Sequence, residues 1–295
     1  MPPPEFNKPL TENQKKTLEA WIAAGGVSRG HWSFSGPEKA DVPKGVSHPI
    51  DHFVDLKIAE KKLTANPIAA DTALLRRVCL DLTGLPPTRD QIQLCDNGNL
   101  DYERLVDELL ASPAFGQHFG RYWLDLVRYA DTVGYHGDQD HNISPYRDYV
   151  IEAANNDLPL DQFTREQIGG DLLPKPTVSQ QVATGYNRLL QTSHEGGVQP
   201  KEYLAIYAAD RIRNLSAVWM GATVGCAQCH DHKYDPYTLK DFYSLVAFFA
   251  DIDEQQHFKV GSNALPTKRP PEMAVLNPWQ QARLESLESE LARIG

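Results

Sequence analysis

Apolar residues recur along this chain at spacings of three and four, with no sustained alternation, so the elements predicted are helices rather than strands. Thr11-Glu12-Asn13-Gln14 has the capping-box pattern. Leu18, Trp21 and Ile22 then share one face, and Gly25-Gly26 marks the stop. This first helix is short and needs a partner surface to be stable. Further helices are predicted over 51–63, 71–82, 101–111, 114–130, 146–155, 160–168 and 179–190. The stretch 201–220 is the longest, and 238–249 and 278–294 complete the series. The expected fold class is mainly α, an irregular multi-helix domain with long loops. No fixed-period repeat is visible.

The breaks in this pattern suggest an organisation. A short helical piece (1–30) is followed by a Gly-, Pro- and Ser-bearing linker (31–48). The main domain spans 49–253, a polar linker 254–277, and a last helix 278–295 with a packing seam at Leu284, Leu287 and Leu291. Hydrophobic residues make up 41% of the chain, enough to bury a core. Apolar runs such as Leu245-Val246-Ala247-Phe248-Phe249-Ala250 are too short to cross a bilayer. A net charge of -10 argues against nucleic-acid binding and suits docking to basic partners. Met1 is followed by Pro-Pro-Pro-Glu, with neither a basic n-region nor an apolar h-region. The expectation is either a cytoplasmic chain or a piece of a longer one that has lost its start.

Four cysteines in 295 residues do not make a disulfide scaffold. Cys79 falls on an apolar helical pattern and reads as core, and Cys95 is ambiguous. Cys226-Ala227-Gln228-Cys229-His230 is different, because Cys-x-x-Cys-His is the attachment pattern of c-type haem. Residues three and four apart share a helix face, so two thiols and an imidazole can meet one porphyrin. The long helix 201–220 delivers this unit, and the small residues of Gly221-Ala222-Thr223-Val224-Gly225 would let a flat macrocycle approach the backbone. Three alternatives stay open. A thioredoxin-like pair needs a βαβ setting, a zinc site would add His232 and a further ligand, and a purely structural role needs neither.

With His230 as the proximal ligand, the second axial position decides the chemistry. A Met or His there gives electron transfer, and an open position gives ligand binding or activation. The His candidates are His194, His136 and His141, in polar Gly-bearing loops, with His232 next to the motif. The Met candidates are Met220 and Met273, of which Met220, on the helix leading into the motif, reads first as core. Asp231 and Asp235 read first as a capped polar turn. Asp131, Arg147 and Asp148 sit among aromatics and read as ordinary ion pairs or as partners of haem propionates.

Several separate motifs fall in one order: Leu80-Asp81-Leu82-Thr83-Gly84-Leu85-Pro86-Pro87-Thr88, Arg128-Tyr129-Ala130-Asp131, Tyr146-Arg147-Asp148-Tyr149-Val150-Ile151, Gly170-Asp171-Leu172-Leu173-Pro174, and the stretch from Cys226 to Pro236. Together they resemble the planctomycete-type cytochrome domain family (DUF1549, PSCyt2). Met1-Pro2-Pro3-Pro4 with Trp21-Ile22-Ala23-Ala24-Gly25-Gly26 resembles the tail of the small cytochrome c domain (PSCyt1) that often precedes it. That resemblance implies an internal fragment of an exported, periplasmic or otherwise extracytoplasmic protein, with Met1 a former distal ligand. The resemblance carries over no biochemical activity; from the cysteine motif the first expectation is one covalent haem c serving electron transfer, with a redox partner protein. Sulfatase-like genes near family members hint at polysaccharide, by association only. The rival expectations are a haem-dependent oxidoreductase, peroxidase-like or acting on carbohydrate, and a structural or carbohydrate-binding module.

Overall fold

The computed structural model describes residues 9–27, 32–135, 138–193, 197–254, 256–258 and 266–294. Met1, His136 and His194 lie outside these. The chain falls into two compact units, 1–68 and 69–295. Among the described residues no strand forms, and only isolated bridges occur, such as Thr132 with Asp140 and His141 with Thr267. The fold is mainly α, as the periodicity predicts.

In the first unit, α1 (Glu12–Ala23) starts on the predicted capping box, with Thr11 and Gln14 bonded reciprocally. Helix α2 (Pro49–Glu60) starts with Pro49 in its first turn, and His48 Nδ1 accepts from the Ile50 N–H. Neither helix contains a buried residue.

The second unit has two cores. In the smaller, α3 (Asp71–Thr83), α4 (Arg89–Asp96) and α5 (Tyr102–Leu110) bury Leu75, Val78, Cys79, Cys95, Leu105 and Leu109. Cys79 is core, as expected. Helix α4 was not anticipated from periodicity, because Ile92 and Leu94 are exposed and only Cys95 is buried. Its capping box at Thr88 and Gln91 is nevertheless legible in the sequence.

The larger core is built by α6 (Pro113–Leu126), α7 (Ser144–Asn155), α8 (Leu160–Gly169), α9 (Val178–Ala183), α10 (Pro200–Trp219) and α11 (Leu239–Ala247). Helix α12 (Pro278–Ile294) buries no residue. Two predictions need correction. Helix 114–130 ends at Leu126, because Arg128 turns left-handed (φ 61°) and releases Tyr129 to Asp131. The predicted helix 179–190 divides into α9 and a 3-10 turn, Thr184–Arg188.

Helices α6 and α7 pack at backbone distance. A Cβ on Gly116 would lie 2.4 Å from the Ile151 carbonyl oxygen, and one on Gly120 would lie 3.3 Å from Ile151 Cγ1. These glycines are four apart, hence on one face. The Gly116 N–H donates to Asn155 Oδ1 at 2.8 Å, fixing the register.

The segment expected as a polar linker contributes to this unit's interior. Glu254, Thr267 and Arg269 are buried. Glu254 accepts from Arg211 and, at 2.5 Å, from Arg269. Arg188 donates to the carbonyls of Arg269 (2.6 Å) and Pro271 (3.2 Å), and Arg269 returns a bond to the Arg188 carbonyl at 3.0 Å. Burial alone would raise the Glu254 carboxyl, but Arg269 and Arg211 hold it below the usual carboxylate range.

Gly116→Ala should force α6 from α7 and cost about 1–3 kcal/mol, seen as a lower denaturant midpoint, with Gly120→Ala milder. Glu254→Gln should cost about 3–5 kcal/mol, because two buried guanidinium groups lose their counter-ion. The folded Glu254 has a depressed pKa, so its stabilisation is complete above the unfolded value of ~4.3 and is lost as pH falls below it. Acid titrations of stability should show a drop there in the native chain that Glu254→Gln lacks.

Candidate functional site

Helix α10 leads directly into the cysteine motif. At its end, Gly221 adopts φ 59° and the Ala222 N–H closes back on the Ser216 carbonyl at 2.9 Å. A 3-10 turn, Val224–Gln228, follows. With three residues per turn, positions three apart eclipse. Val224 and Ala227 are fully buried in the larger core, while Cys226 and Cys229 are exposed free thiols. One turn thus anchors itself with two apolar residues and presents both sulfurs outward. The expectation of an α-helical face is corrected to this tighter geometry.

The turn is braced on both flanks. Arg213, on α10, donates to the Gln228 side chain, and Tyr243, on α11, donates to the Gln228 carbonyl at 3.2 Å. The two glycines here have structural reasons of their own. Gly221 makes the left-handed exit from α10, and a Cβ on Gly225 would lie 2.7 Å from Arg213 Cγ.

His230 is exposed, and its Nδ1 donates to the Asp231 carbonyl at 2.8 Å. This bond fixes the tautomer, so Nε2 carries the lone pair, and Nε2 has no protein partner among the described residues. The Asp231 carboxylate accepts from the Leu239 N–H at 2.8 Å, tying the loop to the start of α11. His232 is used differently. Its Nδ1 accepts from the N–H groups of Asp235 (2.8 Å) and Tyr234 (3.2 Å), which leaves Nε2 to donate to Thr223 Oγ1 at 3.1 Å. Both nitrogens are occupied, so His232 organises the loop and is not poised to bind a metal. Among the described residues no three His, Cys, Asp or Glu side chains converge as a metal site, and no βαβ unit surrounds the cysteine pair.

The other predicted residues lie elsewhere. His141 places Nε2 3.3 Å from the Ala130 carbonyl, and burial lowers its pKa, favouring the neutral ring. His141 and Met273 line a cleft of about 1110 Å³ bounded by α7, α9 and residues 267–280. Arg188, Arg269, Asp148 and Glu152 line it too, but no residue of the cysteine motif does. Met220, expected in the core, is 47% exposed at the end of α10, so that expectation is wrong. Arg147 pairs with Asp148 at 3.1 Å on the surface, and Asp131 accepts a 2.5 Å bond from the Tyr129 hydroxyl. The sequence reading missed the cleft and the Glu254 cluster. Their residues are far apart in sequence, and several, such as Glu254, Thr267, Arg269 and Met273, lie where composition reads as linker.

The burial difference among the cysteines has a direct consequence. In the chain without an attached group, Cys226 and Cys229 should be alkylated in the native state, while Cys79 and Cys95 should react only on unfolding. Mass spectrometry after timed iodoacetamide treatment reads this, and slow reaction of the first pair would contradict the outward geometry.

No helix among the described residues is long and apolar enough to cross a membrane. No curated protein and no solved structure matches the chain. Residues 49–254, well over half of the sequence, match the family described as protein of unknown function (DUF1549), PSCyt2. The span begins at α2 and ends at the buried Glu254, taking in the whole cysteine turn. The chain belongs to the DUF1549 (PSCyt2) family.

Proposed function

We propose that this chain is a c-type cytochrome domain of an exported protein, serving electron transfer. One observation carries the reading: two outward thiols three residues apart, followed by an imidazole whose Nδ1 is tethered and whose Nε2 is free. Cys226 and Cys229 would hold one haem through thioether bonds, and His230 Nε2 would ligate its iron. When bound, haem supplies reversible one-electron chemistry. The chain's own residues do the positioning. Val224 and Ala227 fix the turn, Arg213 and Tyr243 hold Gln228, and the Asp231 carbonyl orients the His230 ring. Leu239 and Tyr243, four apart on α11 and both exposed, offer apolar cover on the side where Tyr243 reaches the turn.

The cleft favours electron transfer over substrate chemistry at this site, because its walls contain His141 and none of Cys226, Cys229 and His230. His136 and His194, outside the described residues, stay as candidates for a second iron ligand, as does Met220, exposed beside the motif. The acidic chain suits a basic redox partner protein, and the exported location follows from where haem c is assembled.

The test is production in a host with haem c maturation machinery, then denaturation and acid-acetone extraction. Colour should stay with the polypeptide and give a c-type pyridine haemochrome, and Cys226→Ala with Cys229→Ala should abolish it. Folded protein that retains no haem despite working maturation would overturn the proposal.

A further inference from the structure

Four oxidisable rings form a continuous line through the larger core. Trp219 is the last residue of α10, and it packs against the same core that buries Val224 and Ala227 of the cysteine turn. Its ring lies 4.8 Å, centre to centre, from Trp123. Trp123 Nε1 donates to the Tyr146 hydroxyl at 3.1 Å. The Tyr146 ring stacks on Tyr129 at 6.4 Å and 18°. Tyr129 then donates to the exposed carboxylate of Asp131 at 2.5 Å. Indole and phenol are the side chains that most readily lose one electron, and successive contacts this short let that electron move from ring to ring.

The proton decides where such a line ends, because an oxidised phenol must lose its proton to persist. Tyr146 and Trp123 donate to the amide oxygen of Gln167, at 2.5 Å and 3.1 Å, and an amide is no base. Tyr186, 6.0 Å from Trp219, likewise donates to an amide, Asn214 Oδ1. Tyr149 does face a carboxylate, Glu166, at 2.9 Å. Glu166 is buried, however, and already accepts from Gln162 and Gln180. Burial would raise its carboxyl, but the three donors hold it below the usual range, so it is a poor proton acceptor. Asp131 accepts one short bond and stands in solvent, where it can pass a proton on.

We propose that Trp219, Trp123, Tyr146 and Tyr129 form a one-electron relay, and that the Tyr129–Asp131 pair is a second redox site at its end. The co-reactant is a high-potential one-electron oxidant of the kind that peroxide generates at a metal centre, placed beside Trp219; a ferric haem in reversible electron transfer is too weak to oxidise a phenol. One electron leaves the Tyr129 phenol through Tyr146, Trp123 and Trp219 and reduces the oxidant. The O–H bond of Tyr129 breaks, its proton goes to the Asp131 carboxylate, and a neutral tyrosyl radical remains. The purpose of the line rests on such an oxidant arising at the proposed redox centre at the cysteine turn, but its ability to carry charge does not.

The test therefore uses the haem-free full chain, with Cys226→Ala and Cys229→Ala, and Met220→Cys labelled with a ruthenium polypyridyl complex. Flash excitation with a sacrificial acceptor generates the oxidised complex next to Trp219. Transient absorbance and frozen-solution electron paramagnetic resonance should show a neutral tyrosyl radical. Tyr129→Phe should abolish it, while Tyr234→Phe, which removes an exposed phenol on the motif side, should not. Trp123→Phe should slow its formation. Asp131→Asn keeps every ring in place and should lower the radical yield, which a purely structural role for Asp131 would not predict. A radical that survives Tyr129→Phe, or a yield unchanged by Asp131→Asn, overturns the relay whether or not haem binds.

Discussion

The close approach of α6 and α7 sets the geometry on which the rest of the larger core depends. Gly116 and Gly120 remove the side chains that would hold the two backbones apart, and Asn155 locks the register through the Gly116 N–H. At that spacing Trp123 reaches the Tyr146 hydroxyl, and both reach Gln167 on α8. A buried amide oxygen, a phenol and an indole thus bond to one another across three helices, while Gln167 Nε2 is buried without a partner among the described residues. Trp219 packs on Trp123 from α10, so the helix that leads to the cysteine motif is seated by the same contact.

The cysteine turn shows how a short element can separate its structural and chemical halves. In a 3-10 turn residues three apart share one of three faces, each roughly 120° from the next. Val224 and Ala227 occupy the inward phase, Cys226 and Cys229 the outward one. His230 and His232 divide labour in a similar way, two residues apart. One has a single nitrogen tied to the backbone and the other free, while the second has both nitrogens spent on holding the loop.

Most helices are legible in the sequence because their apolar spacing is helical, as in α3, α10 and α12, and in α5 the Asp101 cap agrees with it. Exceptions have local causes. Helix α4 buries one side chain, so its capping box was its only signal. The 179–190 stretch has helical periodicity, but it tightens into a 3-10 turn where Gly185 packs on Tyr146, a tertiary contact no local pattern records. The cysteine motif was legible as residues, and its chemistry is still inferred from them. What spacing could not reveal was the outward phase of the thiols, the occupied nitrogens of His232, or the solvent exposure of Met220. These follow from which side of each turn the core lies on.

Glu254 closes a charge account that opens much earlier in the chain. Arg211 is embedded in α10, and Arg188 precedes it, yet the carboxylate and the third guanidinium that complete the cluster come from residues 254 and 269. The span shared with the family stops at 254, between these last two members. A chain cut at that homology boundary would keep Glu254 and lose Arg269, leaving the cluster one cation short and the Arg188 side chain without its carbonyl acceptors. During synthesis the same unit cannot settle its interior charges until residue 269 has emerged. The boundary drawn by kinship and the boundary drawn by electrostatics therefore differ, and the second governs where this domain can be cut.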